Sequence, residues 1–143
     1  MPVWHVVDYV SDEEGNLIRN WCATQDHAVV ARFEATLITL AGIEVWDDPE
    51  LEQFKVLTGP HVGLGEIRFE VEQQVGTKRK KRKFRMLGIW PPPIEREFVM
   101  LGGLEKSGRS PTPTNAFELA MKYKADFERD EGRTCDHFED HFE

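Results

Sequence analysis

The sequence predicts an α+β fold in which two N-terminal helices and one C-terminal helix pack on a small twisted antiparallel sheet. Two observations favour it. Apolar residues recur at helical spacing towards both ends of the chain, whereas alternation with a period of two is confined to the middle. The length of 143 residues and the hydrophobic content of 40% fit one domain. The expected order of elements is β-α-α-β-β-β-α.

The N-terminal part is expected to supply one strand and two helices. Residues 3–10 are rich in Val, Trp and Tyr, which is typical of a short strand. Residues 16–23 place their apolar side chains on one side of a helix. Asp26 is a suitable N-cap for a second helix, and Gly42 would end it. A short helix over residues 50–56 would follow.

The middle of the chain predicts three consecutive strands that form an antiparallel meander. Residues 66–72 alternate charged with apolar side chains, so one face of this strand should be buried and the other charged. Residues 84–90 and 97–101 are the next two strands. We expect the run 78–83 to be a loop between the first two. Gly102 and Gly103, with residues 107–113, would form a loop that leads to a last helix over residues 113–128.

The end of the chain is acidic. We assign residues 1–130 to a single domain and residues 131–143 to an acidic tail that is expected to be mobile. An alternative is that this tail folds back over the basic run and masks it. Cys135, His137 and His141 suggest a metal site, but they lack a recognised zinc spacing, so an unstructured end is preferred.

Positive charge is concentrated in the middle of a chain whose formal net charge is -8. Residues 66–109 contain eleven basic and six acidic side chains. A basic segment in an acidic protein indicates a polyanionic ligand. The sequence contains no apolar run long enough to cross a bilayer and no secretion signal, so a cytoplasmic location without a membrane partner is expected. Cys22 and Cys135 are expected to be free thiols.

Phosphate binding is one chemistry that the basic residues fit, although by sequence alone Arg68 is equally consistent with a salt-bridged surface residue, and the run 78–83 with a solvated hairpin loop. Arg68 and Arg85 lie on neighbouring predicted strands, and Lys106 follows the third strand. A planar guanidinium donates two parallel hydrogen bonds to a phosphate, and fixed cations stabilise the charge that develops when RNA is cleaved. The residues expected to contact the nucleic acid without cleaving it are Lys78, Arg79, Lys80, Lys81, Arg82, Lys83 and Arg109.

The same residues lie in motifs that resemble the RelE/HigB superfamily of toxins, in particular its phage-derived HigB-like branch. The motifs are Gly63–Arg68, Lys83–Leu87 and Phe98–Pro111, in the family's order. The resemblance implies a RelE-like fold and the toxin of a type II toxin-antitoxin pair. It implies a cytoplasmic endoribonuclease that cuts mRNA on the ribosome without a metal or other cofactor, and a helix-turn-helix antitoxin as its partner.

The resemblance also implies that Arg68, Arg85 and Lys106 are catalytic. The chain departs from the family at Glu105, where a lysine is common, and at Gly103 or Leu104, where phenylalanine is expected. A non-catalytic module that binds nucleic acid or the ribosome on the same scaffold is therefore the alternative function.

For three further side chains, the sequence is consistent with two different roles. Glu66 is a candidate general base, but a carboxylate that pairs with arginine across strands is the preferred interpretation. His61 is a candidate acid or base, or a loop histidine. Tyr123 would stack on a base or, by preference, pack in the core. The four tryptophans are assigned to the core.

Overall fold

The computed structural model describes residues 2–138 and consists of an eight-stranded sheet with helices on both faces. The strands within those residues are β1 His5–Ser11, β2 Gly15–Asn16, β3 Phe54–Val56, β4 Leu64–Val75, β5 Lys78–Ile89, β6 Glu97–Ser107, β7 Ser110–Thr112 and β8 Arg133–Asp136. The α-helices are α1 Leu17–Ala23, α2 His27–Ala41 and α3 Ala116–Glu128, and a 3-10 turn spans Gly59–His61. None of the described helices is long and apolar enough to span a membrane.

The strand order is β2-β1-β6-β5-β4-β3, with β8 paired to β1 and β7 paired to β6. The predicted meander is present, because β4, β5 and β6 are antiparallel neighbours. Strand β1 is parallel to β6, and the other pairs are antiparallel. The three helices also lie close to their predicted positions.

The predicted fold class is nevertheless wrong. The sheet has eight strands and is mixed, and it does not have the small antiparallel form or the RelE-like order that was expected. Strand β3 replaces the predicted helix over residues 50–56, and β7 lies in the predicted loop 107–113. These short strands are held by ladder hydrogen bonds to longer neighbours, so their own side-chain pattern does not reveal them.

Two apolar cores lie on opposite faces of the sheet. Helices α1 and α2 cover the first, which contains Phe69 and Phe84, and α3 covers the second, which contains Leu64 and Leu87. The prediction for the tryptophans is confirmed, since Trp4 and Trp46 are buried and the other two pack against the first core. The 13 residues of α3 span about 20 Å, whereas the 12 residues of β4 or β5 span about 40 Å, so the second face remains uncovered at the far end of these strands.

The segment predicted as a mobile tail begins as part of the sheet. Strand β8 pairs with β1, two strands away from β5, so this part of the tail does not mask the basic run. His137 is 2% exposed. Its Nδ1 lies 2.7 Å from Asp8 Oδ1 and its Nε2 lies 2.8 Å from Glu34 Oε1. Two buried or half-buried carboxylates thus fix the segment, and its acidic composition does not keep it apart from the domain. Residues 139–143 lie outside the described residues.

Candidate nucleic-acid interface

The basic run 78–83 is a strand and not the loop that was predicted. It forms the first half of β5 and pairs residue by residue with β4 as far as Val75 and Lys78, around a turn at Gly76 with φ +64°. Pairing of β5 with β6 ends at Lys83. Residues 71–82 therefore form a two-stranded hairpin that protrudes from the sheet, which we call the ribbon. Its exposed strands need no apolar alternation, so the sequence pattern could not identify them.

The strand conformation divides the basic residues between two faces, because successive side chains of a strand point to opposite sides. The face that α3 covers elsewhere carries Arg79, Lys81, Lys83 and Arg85. The face of α1 and α2 carries Lys78, Lys80 and Arg82. The charge of the run is thus not a single patch.

The three cations predicted to be catalytic lie on the same face of three neighbouring strands. Arg68 on β4 is directly opposite Arg85 on β5. Lys106 on β6 is directly opposite Lys83, which precedes Arg85 by two residues in β5. Strand spacing and rise place the Cα atoms of Arg68 and Lys106 about 12 Å apart. Long side chains from these positions can converge on one phosphodiester. We call Arg68, Arg85 and Lys106 the cation cluster.

Glu66 holds the two arginines of this cluster in place. Its carboxylate is buried and accepts hydrogen bonds from Arg68 Nε at 3.0 Å and Nη2 at 2.9 Å. Arg85 Nε lies 3.6 Å from the same oxygen, and Arg85 Nη1 donates to the carbonyl of Phe84 at 2.9 Å. Burial lowers the pKa of Arg85 and Glu66 opposes that effect. The geometry fits a positioning role for Glu66.

Exposure differs between the two arginines. The Arg68 side chain is 34% exposed and that of Arg85 is 11% exposed. Lys106 is exposed. Arg68 and Lys106 can therefore contact a ligand directly. Arg85 lies deeper in the sheet, and only a small part of its guanidinium is accessible to a ligand.

Arg82 and Glu105 form an ion pair on the opposite face. Arg82 donates to the Glu105 carboxylate from Nε at 2.9 Å and from Nη2 at 2.8 Å, and its Nη1 lies 3.4 Å from Asp26. Its guanidinium also lies 5.1 Å from the centre of the Phe84 ring. The hydrogen bond from Arg82 is the main reason that the pKa of Glu105 is lowered. Arg82 is thus occupied, and Glu105 is turned away from the cation cluster.

Two depressions border the cation cluster, and Arg85 lines both. The smaller, of about 340 Å³, lies between β5 and the β6–β7 turn and is also lined by Lys83 and Lys106. Arg109 is exposed in that turn. The larger, of about 950 Å³, lies between α2, β3 and β4. Its further cations, Arg32 and Lys55, were not predicted, because they lie far from the basic run in the sequence.

The remaining candidates lie away from the cluster. His61 is in the 3-10 turn before β4, where its ring stacks on Phe117 with 4.4 Å between centroids. Its Nδ1 is buried without a hydrogen-bond partner among the described residues. Tyr123 is buried in the second core, with its ring centroid 6.0 Å from that of Tyr9, so the prediction of a core role is confirmed.

The metal hypothesis has no support in residues 2–138. Within that range no group of three or more His, Cys, Asp or Glu side chains is arranged to hold a metal ion. His137 contacts two carboxylates, and Cys135 Sγ lies 3.5 Å from Asn16 Nδ2. His141 lies outside the described residues. Comparison of the chain with protein-family models, curated proteins and solved structures found no match.

Proposed function

We propose that the protein binds single-stranded RNA across the cation cluster and cleaves it without a metal, as the toxin endoribonuclease of a type II toxin-antitoxin pair. One observation carries the proposal: Arg68, Arg85 and Lys106 lie on one face of three adjacent strands, where α3 does not cover the sheet. From the resemblance the proposal takes mRNA on the ribosome as the substrate and a helix-turn-helix antitoxin as the partner.

The reaction that fits the cluster is attack by the RNA 2′-hydroxyl on the adjacent phosphorus. The bond from the 2′-oxygen to phosphorus forms, and the bond to the 5′-oxygen of the next nucleotide breaks. The products are a 2′,3′-cyclic phosphate and a 5′-hydroxyl. Water accepts the proton of the 2′-hydroxyl and supplies one to the leaving 5′-oxygen. Negative charge gathers on the non-bridging oxygens in between, and the cations stabilise it.

The cluster residues divide this work according to their exposure. Arg68 is held at Nε and Nη2 by Glu66 but is one-third exposed, so the rest of its guanidinium can donate to a non-bridging oxygen. Lys106 approaches from the other side with a flexible ammonium group. Glu66 keeps two directly opposed arginines together and is a positioning residue.

Cleavage of mRNA on purified ribosomes tests the proposal, with RNA ends mapped by primer extension. Removing one stabilising donor slows such reactions about 10²- to 10³-fold, and we expect this for Arg68→Ala and Lys106→Ala. Arg133→Ala is the matched control, because it removes one cation from β8 near the other end of the sheet. Thermal unfolding checks that all variants fold. Intact mRNA with the unmodified protein, or equal cleavage by all variants, would contradict the proposal.

A non-catalytic module that binds RNA is the second candidate. It is favoured because both carboxylates near the cluster are engaged in ion pairs. Glu66 pairs with Arg68 and Arg85, and Glu105 pairs with Arg82. Neither is placed to accept a proton freely. For this candidate, RNA binding should weaken with salt and with Arg68→Ala, and no cleaved product should appear at any enzyme concentration.

A further inference from the structure

The ribbon has a second surface, on the side opposite to the cation cluster. One face of the ribbon carries Glu72 and Gln74 beside Arg79 and Lys81, with Glu70 next to it at the base, and we call it the acid-bearing face. The other, the lysine face, carries Val71, Gln73 and Val75 beside Lys78 and Lys80. All of these side chains are exposed except Val71, which is half-buried.

The acids and bases of the acid-bearing face are paired with each other. Arg79 Nη1 lies 3.5 Å from Glu72 Oε2, and Lys81 Nζ lies 4.0 Å from Glu70 Oε2. Exposed pairs of this kind add little stability, but they cancel much of the field above that face. A phosphate backbone approaching from this side would meet carboxylates as well as cations.

The lysine face carries no acid on the ribbon itself. The principal partner of Glu105 is Arg82 at the base of the ribbon, whose hydrogen bond lowers the pKa of Glu105. Lys80 also lowers this pKa, but to a smaller extent. Beyond that base, Lys78 and Lys80 are the charged groups on the face. A polyanion would therefore meet only positive charge along its outer part.

The shape of the ribbon selects among polyanions. A two-stranded ribbon fits the major groove of B-form DNA, which is about 12 Å wide. The major groove of duplex RNA is deep and too narrow for side chains to read. The five residues 71–75 extend about 17 Å. The ribbon is therefore long enough to reach the base edges at the floor of the groove, which is about 8.5 Å deep.

The side chains of the lysine face suit the edges of the bases. Gln73 is directly opposite Lys80, and Val75 is directly opposite Lys78. Glutamine pairs with N6 and N7 of adenine, lysine donates to O6 and N7 of guanine, and apolar side chains contact the methyl group of thymine. The face thus presents a donor-rich centre flanked by apolar groups.

We propose that the lysine face of the ribbon docks in the major groove of duplex DNA, with Gln73, Lys78 and Lys80 directed at the base edges and the acid-bearing face turned outwards. The lysine face is opposite to the face of the cation cluster, although Lys80 and Lys106 both line the smaller depression at the base of the ribbon. Docking of the lysine face does not depend on whether the protein cleaves RNA.

Two neighbouring glutamines provide a matched test. Gln73→Glu places a carboxylate on the lysine face, and Gln74→Glu places one on the acid-bearing face, with the same change of charge. The probe is a 20-base-pair DNA duplex of mixed sequence with a fluorescent label, followed by anisotropy in 0.15 M salt. At this ionic strength charges more than about 8 Å apart are largely screened. We expect Gln73→Glu to weaken binding at least about tenfold and Gln74→Glu less than about threefold.

The lysines give a second pair of variants. Lys78→Ala with Lys80→Ala should weaken binding more than Arg79→Ala with Lys81→Ala, although both remove two cations. The same duplex made of RNA should bind more weakly than DNA. Equal effects within either pair of variants, tighter or equal binding of duplex RNA, or no binding of DNA by the unmodified protein would overturn the proposal. Arg133→Ala, which removes one cation from β8 near the other end of the sheet, should leave DNA binding unchanged.

Discussion

The buried contacts of His137 predict that the stability of the protein depends on pH in the alkaline range. Burial by itself lowers the pKa of His137, but its hydrogen bonds to Asp8 and Glu34 outweigh that effect and raise the pKa to about 9. A folded-state pKa above the unfolded value of 6.5 means that the charged ring stabilises the fold. This contribution is fully present below pH 6.5 and is lost as the pH rises through about 9. It amounts to at most about 3 kcal/mol.

Urea unfolding of the unmodified protein and of His137→Gln, followed from pH 7 to pH 10, measures this contribution. The difference in unfolding free energy should shrink by about 2 to 3 kcal/mol across that range. Groups that titrate in both proteins cancel in the difference. Burial raises the pKa of Cys22 to about 12, so this thiol stays neutral throughout. Ile38→Gln, at an exposed position of α2, is the control; it changes no titratable group, so its difference should not vary with pH. A pH-independent difference for His137→Gln would refute the reasoning.

Two further predictions concern packing and pairing at β6. A Cβ atom at Gly103 would lie 2.4 Å from the indole of Trp21, whereas one at Gly102 would meet nothing within 4 Å. Gly103→Ala should therefore destabilise by about 1 to 3 kcal/mol in urea unfolding, and Gly102→Ala should be neutral or slightly stabilising; equal effects would contradict this. Arg82→Ala and Glu105→Gln should each destabilise, and a double-mutant cycle should show a coupling of about 1 kcal/mol, because the pair is bidentate and half-buried. Additive effects would show that the pair contributes nothing.

The elements that the sequence predicted well are those whose own side chains carry the signal. Helix α2 has apolar residues at helical spacing between Asp26 and Gly42, and β4 alternates over residues 66–72. Helix α2 and the apolar face of β4 pack against the first core, so the burial requirement appears directly as a period in the sequence. The other face of β4 is charged as predicted, but at Glu66 it is buried as well. The α3 helix is equally visible, and the meander follows from the short connections between its strands.

The features that were missed depend on partners far away in the chain. Strand β8 forms because its backbone pairs with β1 and because His137 reaches Asp8 and Glu34, at separations of more than one hundred residues. The parallel contact between β1 and β6 has no local signature either. The run 78–83 was predicted as a loop because neither face of the ribbon is buried in a core, although residues 71–72 lay in the predicted strand 66–72. For the cation cluster, sequence indicated the residues, but only the register decides that Arg68 and Arg85 are directly opposite.

The register has an energetic consequence that connects the cluster to its ligand. Like charges directly opposite each other on neighbouring strands are destabilising, and Arg68 and Arg85 occupy such positions. Glu66 compensates one of the two charges by direct contact, and Glu70 on the same face adds a weaker attraction to Arg85. In the proposed complex, a phosphodiester would add a negative charge in direct contact with the arginines. The repulsion that remains in the free protein is thus the part of the electrostatic energy that an RNA backbone would relieve on binding.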